Sequence, residues 1–350
     1  IMASLLPGPK EITKDTFTPA FFAGLRHLLE IQTLLGILSV VCIYLTLRSA
    51  GAGTWLSTIG GMFIALNPQI FLWERTTETE GLSISIFIMT LYACIRLMKK
   101  VTLVPLVVFS LLCIIGFLLR PANVLIPFLI LPFLMWNERA NKKNLIALFL
   151  SLIIYSSVPG GYVYFNVRNH QYRGIQQVSD LDIFGRILEF NMPIDEKKVD
   201  PYYYRITMIA KKKHMTQPFK FLDTIDPTIY MDRDRMARLA IFNRQVVMDQ
   251  PFLYAWHALS YVPDIMRDYT RIPEFARTDP SDRATFLARV NDVFGTTKYA
   301  TWLVFFLLPL GAVLWIKKRT IQSEFIIILT LYVLTQTAMS VCIVYYEEYG

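Results

Sequence analysis

The stretch VTLVPLVVFSLLCIIGFLLRPANVLIPFLILPFLMW, residues 101–136, contains one charged residue, Arg120, between two apolar runs. Each run, 101–119 and 121–136, approaches the roughly 20 residues that a helix needs to cross membrane hydrocarbon. Similar apolar runs are found at 31–48, 54–73, 81–98, 144–166, 299–316 and 324–344. The sequence therefore predicts an all-α fold, a polytopic transmembrane helix bundle with about eight spans in this chain.

The charges between these runs are divided unequally when the connections are read alternately. One set of connections carries Arg48, Arg96, Lys99, Lys100, Arg139, Lys142, Lys143, Lys317, Lys318 and Arg319. Among the short connections of the other set, the basic residues are only Arg75 and Arg120. Because cytoplasmic connections of membrane proteins are rich in Lys and Arg, we expect the first set to be cytoplasmic. The functional residues should then lie on the opposite, outer side.

This topology divides the chain into four parts. They are an extracytoplasmic or interfacial segment (1–29), spans one to six (30–166), an extracytoplasmic loop domain (167–298) and spans seven and eight (299–350). The loop domain holds 20 of the 35 Lys and Arg residues and 17 of the 27 Asp and Glu residues. A connection of this length needs structure of its own. Helical spacing of apolar residues predicts one helix at 231–248 and another from Pro251 to about 267, the second apolar enough to lie on a membrane surface.

Composition excludes some other classes of protein. The chain is 54% hydrophobic and only 18% charged, and its net charge is +8. That positive charge could suggest nucleic-acid binding, but the cytoplasmic anchors supply most of the excess, so we expect no nucleic-acid partner. The four cysteines lie inside apolar runs and form no disulfide framework, and the four histidines have no metal-ligand spacing.

Two arginines are candidate binding residues. Arg120 stands at membrane depth with no other charge near it in the sequence. Because an isolated charge at this depth is energetically costly, its presence suggests a function. Its planar guanidinium suits a phosphate. Arg168, followed by Asn169, comes as the chain leaves the sixth run. The alternative for both arginines is an anchor that reaches the lipid headgroups.

Carboxylates on the outer side are further candidates. Glu78 and Glu80 precede the third run and could bind a substrate hydroxyl or a basic group, or simply cap the helix that follows. Glu347, Glu348 and Tyr349 follow the last run. The pairs Asp180–Asp182 and Asp232–Asp234 match a D-x-D pattern of some sugar transferases, but so short a pattern occurs often by chance, and we interpret both as structural.

Several short motifs, in order, resemble those of the GT-C membrane glycosyltransferases, especially the branch of protein O-mannosyltransferases and aminoarabinose transferase. Residues 79–82 (TEGL) are similar to the Thr-Glu-x-Leu start of a helix in that family. Residues 116–121 (GFLLRP) resemble its Leu-x-Arg-Pro junction, and Arg168-Asn169 resembles the start of its large outer loop. Residues 243–251, with Tyr254 beyond them, are similar to the segment before its late helices, and residues 347–350 (EEYG) resemble the lead into its Arg-Tyr/Phe motif.

The resemblance implies an activity and its partners. It implies transfer of a sugar from a polyprenyl-phosphate donor to a protein, lipid or glycan acceptor on the extracytoplasmic side, by a multi-pass protein of the bacterial cytoplasmic membrane. It also implies a catalytic carboxylate upstream of residue 1, so that the catalytic residue is unknown, and a final motif beyond Gly350. Membrane lipid is an expected partner. No cofactor is assigned, and a divalent metal stays open.

Two other functions are compatible with the residues. A secondary transporter also places charges within the membrane, but the sequence shows neither an inverted repeat nor paired Gly/Pro-broken helices. A membrane scaffold subunit would use the outer domain to bind a partner. An enzyme differs from a scaffold in needing a cavity on the outer side with Arg120 in it.

Overall fold

A computed structural model describes residues 19–67, 79–170, 172, 174–175, 178–215, 233–268 and 303–343. These residues are mostly helical, and none of them forms a β-strand. The α-helices are α1 (Pro19–Ser49), α2 (Thr54–Ala65), α3 (Thr79–Lys99), α4 (Leu103–Leu119), α5 (Leu125–Asn137), α6 (Lys142–His170), α7 (Val178–Glu189), α8 (Pro201–Lys212), α9 (Arg233–Asp249), α10 (Pro251–Asp268), α11 (Val304–Lys317) and α12 (Ile321–Ile343). Short 3₁₀ helices span Pro121–Val124 and Glu196–Lys198.

The described parts of the apolar runs that predicted the fold are largely helical. Within the described part of the chain, three helices are long and apolar enough to cross a membrane: Ala23–Ser49, Gly81–Lys99 and Lys142–Asn169. Shorter apolar helices lie at Thr54–Ala65, Leu103–Leu119, Pro121–Asn137, Phe305–Lys317 and Ile321–Thr335. The prediction of a helical membrane protein is confirmed, and the number of complete crossings stays a prediction.

Two helices extend beyond the limits that hydropathy predicts. α1 begins at Pro19 rather than near residue 31. Within this extension Glu30 accepts a bond from Arg26 Nε at 3.1 Å and lies 3.1 Å from His27 Nδ1. Such pairs support a polar turn of helix that a hydropathy window does not include. α6 continues to His170, so that Arg168 lies in its last turn and not in a loop.

Contacts divide the chain into two compact units. Unit 1 comprises residues 1–156, 280–297 and 303–332. Its centre is α3, which packs against α1 and α4 and whose Cys94, Ile95 and Leu97 are almost fully buried. Hydroxyl groups tie helices together inside this apolar core, since Ser110 Oγ of α4 and Ser151 Oγ of α6 are 2.6 Å apart. Many of its outer side chains are apolar, as suits a surface in contact with lipid.

Unit 2 comprises residues 157–279, 298–302 and 333–350. Its described part packs α7, α8, α9 and α10 around an aromatic core. In this core Phe242 lies edge-on to Phe184, with ring centroids 6.1 Å apart, and Tyr203 Oη donates to the carbonyl of Arg235 at 2.5 Å. The helices predicted at 231–248 and from Pro251 to 267 are α9 and α10, each within two residues of the predicted limits.

Candidate functional site

The chain turns sharply at the Leu119-Arg120-Pro121 junction of unit 1. α4 ends at Leu119, and Arg120 has an extended backbone with φ −139° and ψ 111°. A residue before proline avoids helical angles, and proline suits the first position of a new helical turn, so the sequence itself causes the break. The Arg120 N–H still donates to the carbonyl of Gly116 at 2.9 Å. Arg120 is thus placed at the very end of α4, with its side chain half-buried.

A buried asparagine fixes this junction. Asn123 Nδ2 donates to Ser83 Oγ of α3 and to the Gly116 carbonyl, both at 3.0 Å. The backbone N–H of Asn123 donates to the carbonyl of Arg120 at 2.9 Å. One side chain therefore joins the end of α4, the 3₁₀ turn and α3. Because buried polar groups are costly unless bonded, these contacts select one arrangement of the turn that carries Arg120.

The start of α3 lies at the same end of unit 1 as Arg120. α3 begins at Thr79, and Ser83, which receives the bond from Asn123, lies in its first turns. Glu80 therefore begins a helix whose start is joined to the junction. The side chain of Glu80 and the whole of Glu78 lie outside the described residues.

Two of the other predicted site residues belong to the described part of unit 2. Arg168 and Asn169 are exposed in the last turn of α6, and Asn169 Nδ2 donates to the carbonyl of Phe165 at 3.1 Å. Glu347, Glu348 and Tyr349 lie outside the described residues. A single site that combines these residues with Arg120 stays a prediction.

The chain leaves α6 through a turn that sequence reasoning did not identify. Asn166 Nδ2 donates to the carbonyls of Gly174 at 2.8 Å and Ile175 at 3.0 Å. Tyr172 returns a backbone bond to the Asn166 carbonyl at 3.3 Å. These bonds hold the start of the segment after α6 directly against the last turns of α6, close to Arg168.

The first D-x-D pair has a structural role in this region. Tyr172 Oη donates to Asp180 Oδ2 at 2.7 Å, and Asn243 Nδ2 of α9 donates to the Asp180 carbonyl at 2.6 Å. Burial raises the pKa of the Asp180 carboxyl, and the bond from Tyr172 opposes that shift. Asp182 is buried. Asp232 lies outside the described residues. Within the described ranges, no group of three or more His, Cys, Asp or Glu side chains is placed to hold a metal ion.

Comparison with known proteins supports the class that the sequence motifs resemble. The profile of the dolichyl-phosphate-mannose-protein mannosyltransferase family matches residues 18–160, which contain α1 to α5, most of α6 and the Arg120 junction. The match confirms the resemblance to the GT-C superfamily and supports a membrane glycosyltransferase that uses a polyprenyl-phosphate-linked sugar. It favours an enzyme over a transporter or a scaffold. No curated protein and no solved structure gives a significant match.

Proposed function

We propose that this protein transfers a sugar from a polyprenyl-phosphate donor to an acceptor on the extracytoplasmic side of a bacterial cytoplasmic membrane. The observation that carries the proposal is the family match over residues 18–160, within which Arg120 is held at the end of an apolar helix. A guanidinium at the boundary of the hydrocarbon can meet a phosphate whose lipid tail lies in the bilayer.

The reaction is a displacement at the anomeric carbon. The acceptor hydroxyl oxygen forms a bond to that carbon while the bond from carbon to the phosphate oxygen breaks, and the polyprenyl phosphate leaves with the electron pair. The acceptor proton passes to a carboxylate that acts as the general base. Arg120, assisted by Arg168, stabilises the negative charge that grows on the departing phosphate.

Carboxylates and the outer domain complete the proposed site. Glu80, at the start of the helix that Asn123 joins to the Arg120 junction, and Glu78 before it would position sugar hydroxyls or the arginines. Glu347, Glu348, Tyr349 and Asn169 are proposed to act with them. The helical domain after α6 would select the acceptor.

The proposal is tested with the full-length protein in liposomes that contain a radiolabelled polyprenyl-phosphate sugar. We expect release of polyprenyl phosphate that has lost its sugar. We also expect the labelled sugar to appear on components of an added extract of envelope proteins, lipids and glycans. Boiled protein serves as the control. A donor that stays intact over a panel of common sugars, while the protein remains folded, would contradict the assignment.

Sidedness gives a separate prediction. Lys213, exposed at the end of α8, should lie outside the cell, and Lys143, exposed at the start of α6, should lie inside. A cysteine at position 213 should react with a membrane-impermeant maleimide in whole cells, and a cysteine at position 143 should react only after lysis. The opposite pattern would invert the topology and remove the outer-face site.

A further inference from the structure

From Phe252 to Leu259, one face of α10 is apolar, exposed and free of formal charge. Phe252 is 89% exposed, Trp256 69% and Leu259 64%. Their spacing of four and three residues places them on one side of the helix. Tyr254 and Ala258, on the other side, are buried in the aromatic core of unit 2. The helix is therefore already packed along one face, and this second apolar face, which we call the α10 stripe, is additional to that packing.

The sequence around the α10 stripe lacks the charges that a water-facing helix normally carries. From Gln250 to Pro263 there is no Lys, Arg, Asp or Glu. His257 does not supply polarity to the stripe, because its ring stacks on Phe190 of the core, with centroids 5.5 Å apart. Between Phe252 and Leu259, the exposed residues are Ala255 and Trp256 of the stripe, and both are uncharged. Contiguous exposed apolar surface of this kind marks an interaction site.

We propose that the α10 stripe inserts into the interfacial region of the lipid bilayer, so that α10 lies on the membrane surface. Tryptophan favours the headgroup boundary, and phenylalanine and leucine are typical of the apolar face of helices that lie there. An uncharged face that combines these rings with leucine matches this environment. Surface helices of this type bury an apolar face to the depth of the headgroups without crossing the membrane.

The start of the same domain is held against the end of a candidate membrane span. The candidate span Lys142–Asn169 contains Asn166, whose side chain bonds the carbonyls of Gly174 and Ile175. The chain then enters α7, which packs against α9, the helix that leads into α10. A domain tied within a turn of the end of a span has the bilayer as a neighbour at high effective concentration. Lipid is therefore the apolar partner that is always within reach.

The test places a nitroxide label on the stripe in the full-length protein reconstituted in liposomes. In a background with the four native cysteines replaced by serine, Trp256→Cys carries the label on the stripe, and Gln245→Cys, exposed on α9, is the matched control. Phe252→Cys, about one turn before Trp256, is a second stripe position. All three positions are exposed, so labelling leaves the core of unit 2 intact.

Lipid insertion has a distinctive relaxation pattern. We expect labels at 256 and 252 to be several-fold more accessible to dissolved oxygen, and several-fold less accessible to a water-soluble nickel chelate, than the label at 245. Equal nickel accessibility at all three positions would overturn the proposal, because the stripe would then face water. Shielding of the labels at 256 and 252 from both reagents would also overturn the proposal. In that case, spin–spin broadening that grows with the protein-to-lipid ratio would indicate that a second copy covers the stripe. Shielding without broadening would indicate that another segment of the chain covers it.

Discussion

Replacing Arg120 with alanine is expected to lower kcat/KM for sugar transfer in the full-length protein by roughly 5- to 150-fold. This corresponds to about 1–3 kcal/mol of transition-state stabilisation, the scale of a hydrogen bond to a charged group. The contact should be strong because little water competes with the guanidinium at the edge of the hydrocarbon. The measurement is steady-state transfer from a polyprenyl-phosphate sugar, with wild type and variant compared at equal amounts of inserted protein.

Two further variants separate phosphate binding from simple anchoring. Arg120→Lys keeps the charge but loses the planar fork, so it should recover only part of the activity. Asn123→Ala keeps the Arg120 side chain but removes the bonds to Ser83 and Gly116 that fix the turn carrying it. It should therefore also reduce transfer. Ser110→Ala is the control, because it removes another polar contact between helices, the one to Ser151. Ser110 lies in α4 more than two turns before the junction, so this variant should leave transfer unchanged.

Equal activity of wild type, Arg120→Ala and Arg120→Lys would contradict the role given to this arginine. The side chain would then only reach the headgroups, and the phosphate site would have to be assigned to Arg168. A loss of activity in Ser110→Ala as large as in Asn123→Ala would show that unit 1 tolerates no lost polar contact, and the effect of Asn123→Ala could not be assigned to the junction.

The fold was predictable because its main signals are local. Apolar runs of helical length and the alternation of Lys and Arg between connections need no knowledge of distant contacts. The break at Arg120 is equally local, since Pro121 causes it. The limits of α1 were not predictable from hydropathy, because the side-chain pairs of Arg26 and His27 with Glu30 extend the helix through polar residues.

The supporting contacts of the candidate site were less predictable because they join residues far apart in sequence. Asn123 and Ser83 are 40 positions apart, and Asn243 reaches a carbonyl 63 positions away. A single asparagine near the end of a span has many possible partners, and only the packing of the helices selects one. A signal did exist for Asn123, since a polar residue two positions after Pro121 interrupts an otherwise apolar run.

Arg186 carries a buried charge that could not be predicted from composition. It is one of many charges between residues 167 and 298, but its side chain is fully buried in unit 2. Its Nη1 donates to Glu189 Oε2 at 2.5 Å, and its guanidinium lies 5.7 Å from the ring centre of Phe190 and 5.4 Å from that of Tyr261. Its Nε and Nη2 have no hydrogen-bond partner among the described residues. Glu189 is therefore the main compensation for a positive charge removed from water.

Glu189→Ala is expected to destabilise unit 2 by about 3 kcal/mol or more, because it leaves the Arg186 charge buried and without its carboxylate. Arg186→Met should cost far less, since an apolar side chain of similar length can pack between the rings of Phe190 and Tyr261 without desolvating a charge. Adding Glu189→Ala to Arg186→Met should then have little further effect, because the pair no longer exists. The measurement is pulse proteolysis of the detergent-solubilised protein across a urea series, scored by cleavage in 167–298. If Glu189→Ala resisted urea as well as wild type, or if Arg186→Met were the weakest of the three variants, the ion pair would not be what holds this charge in the core.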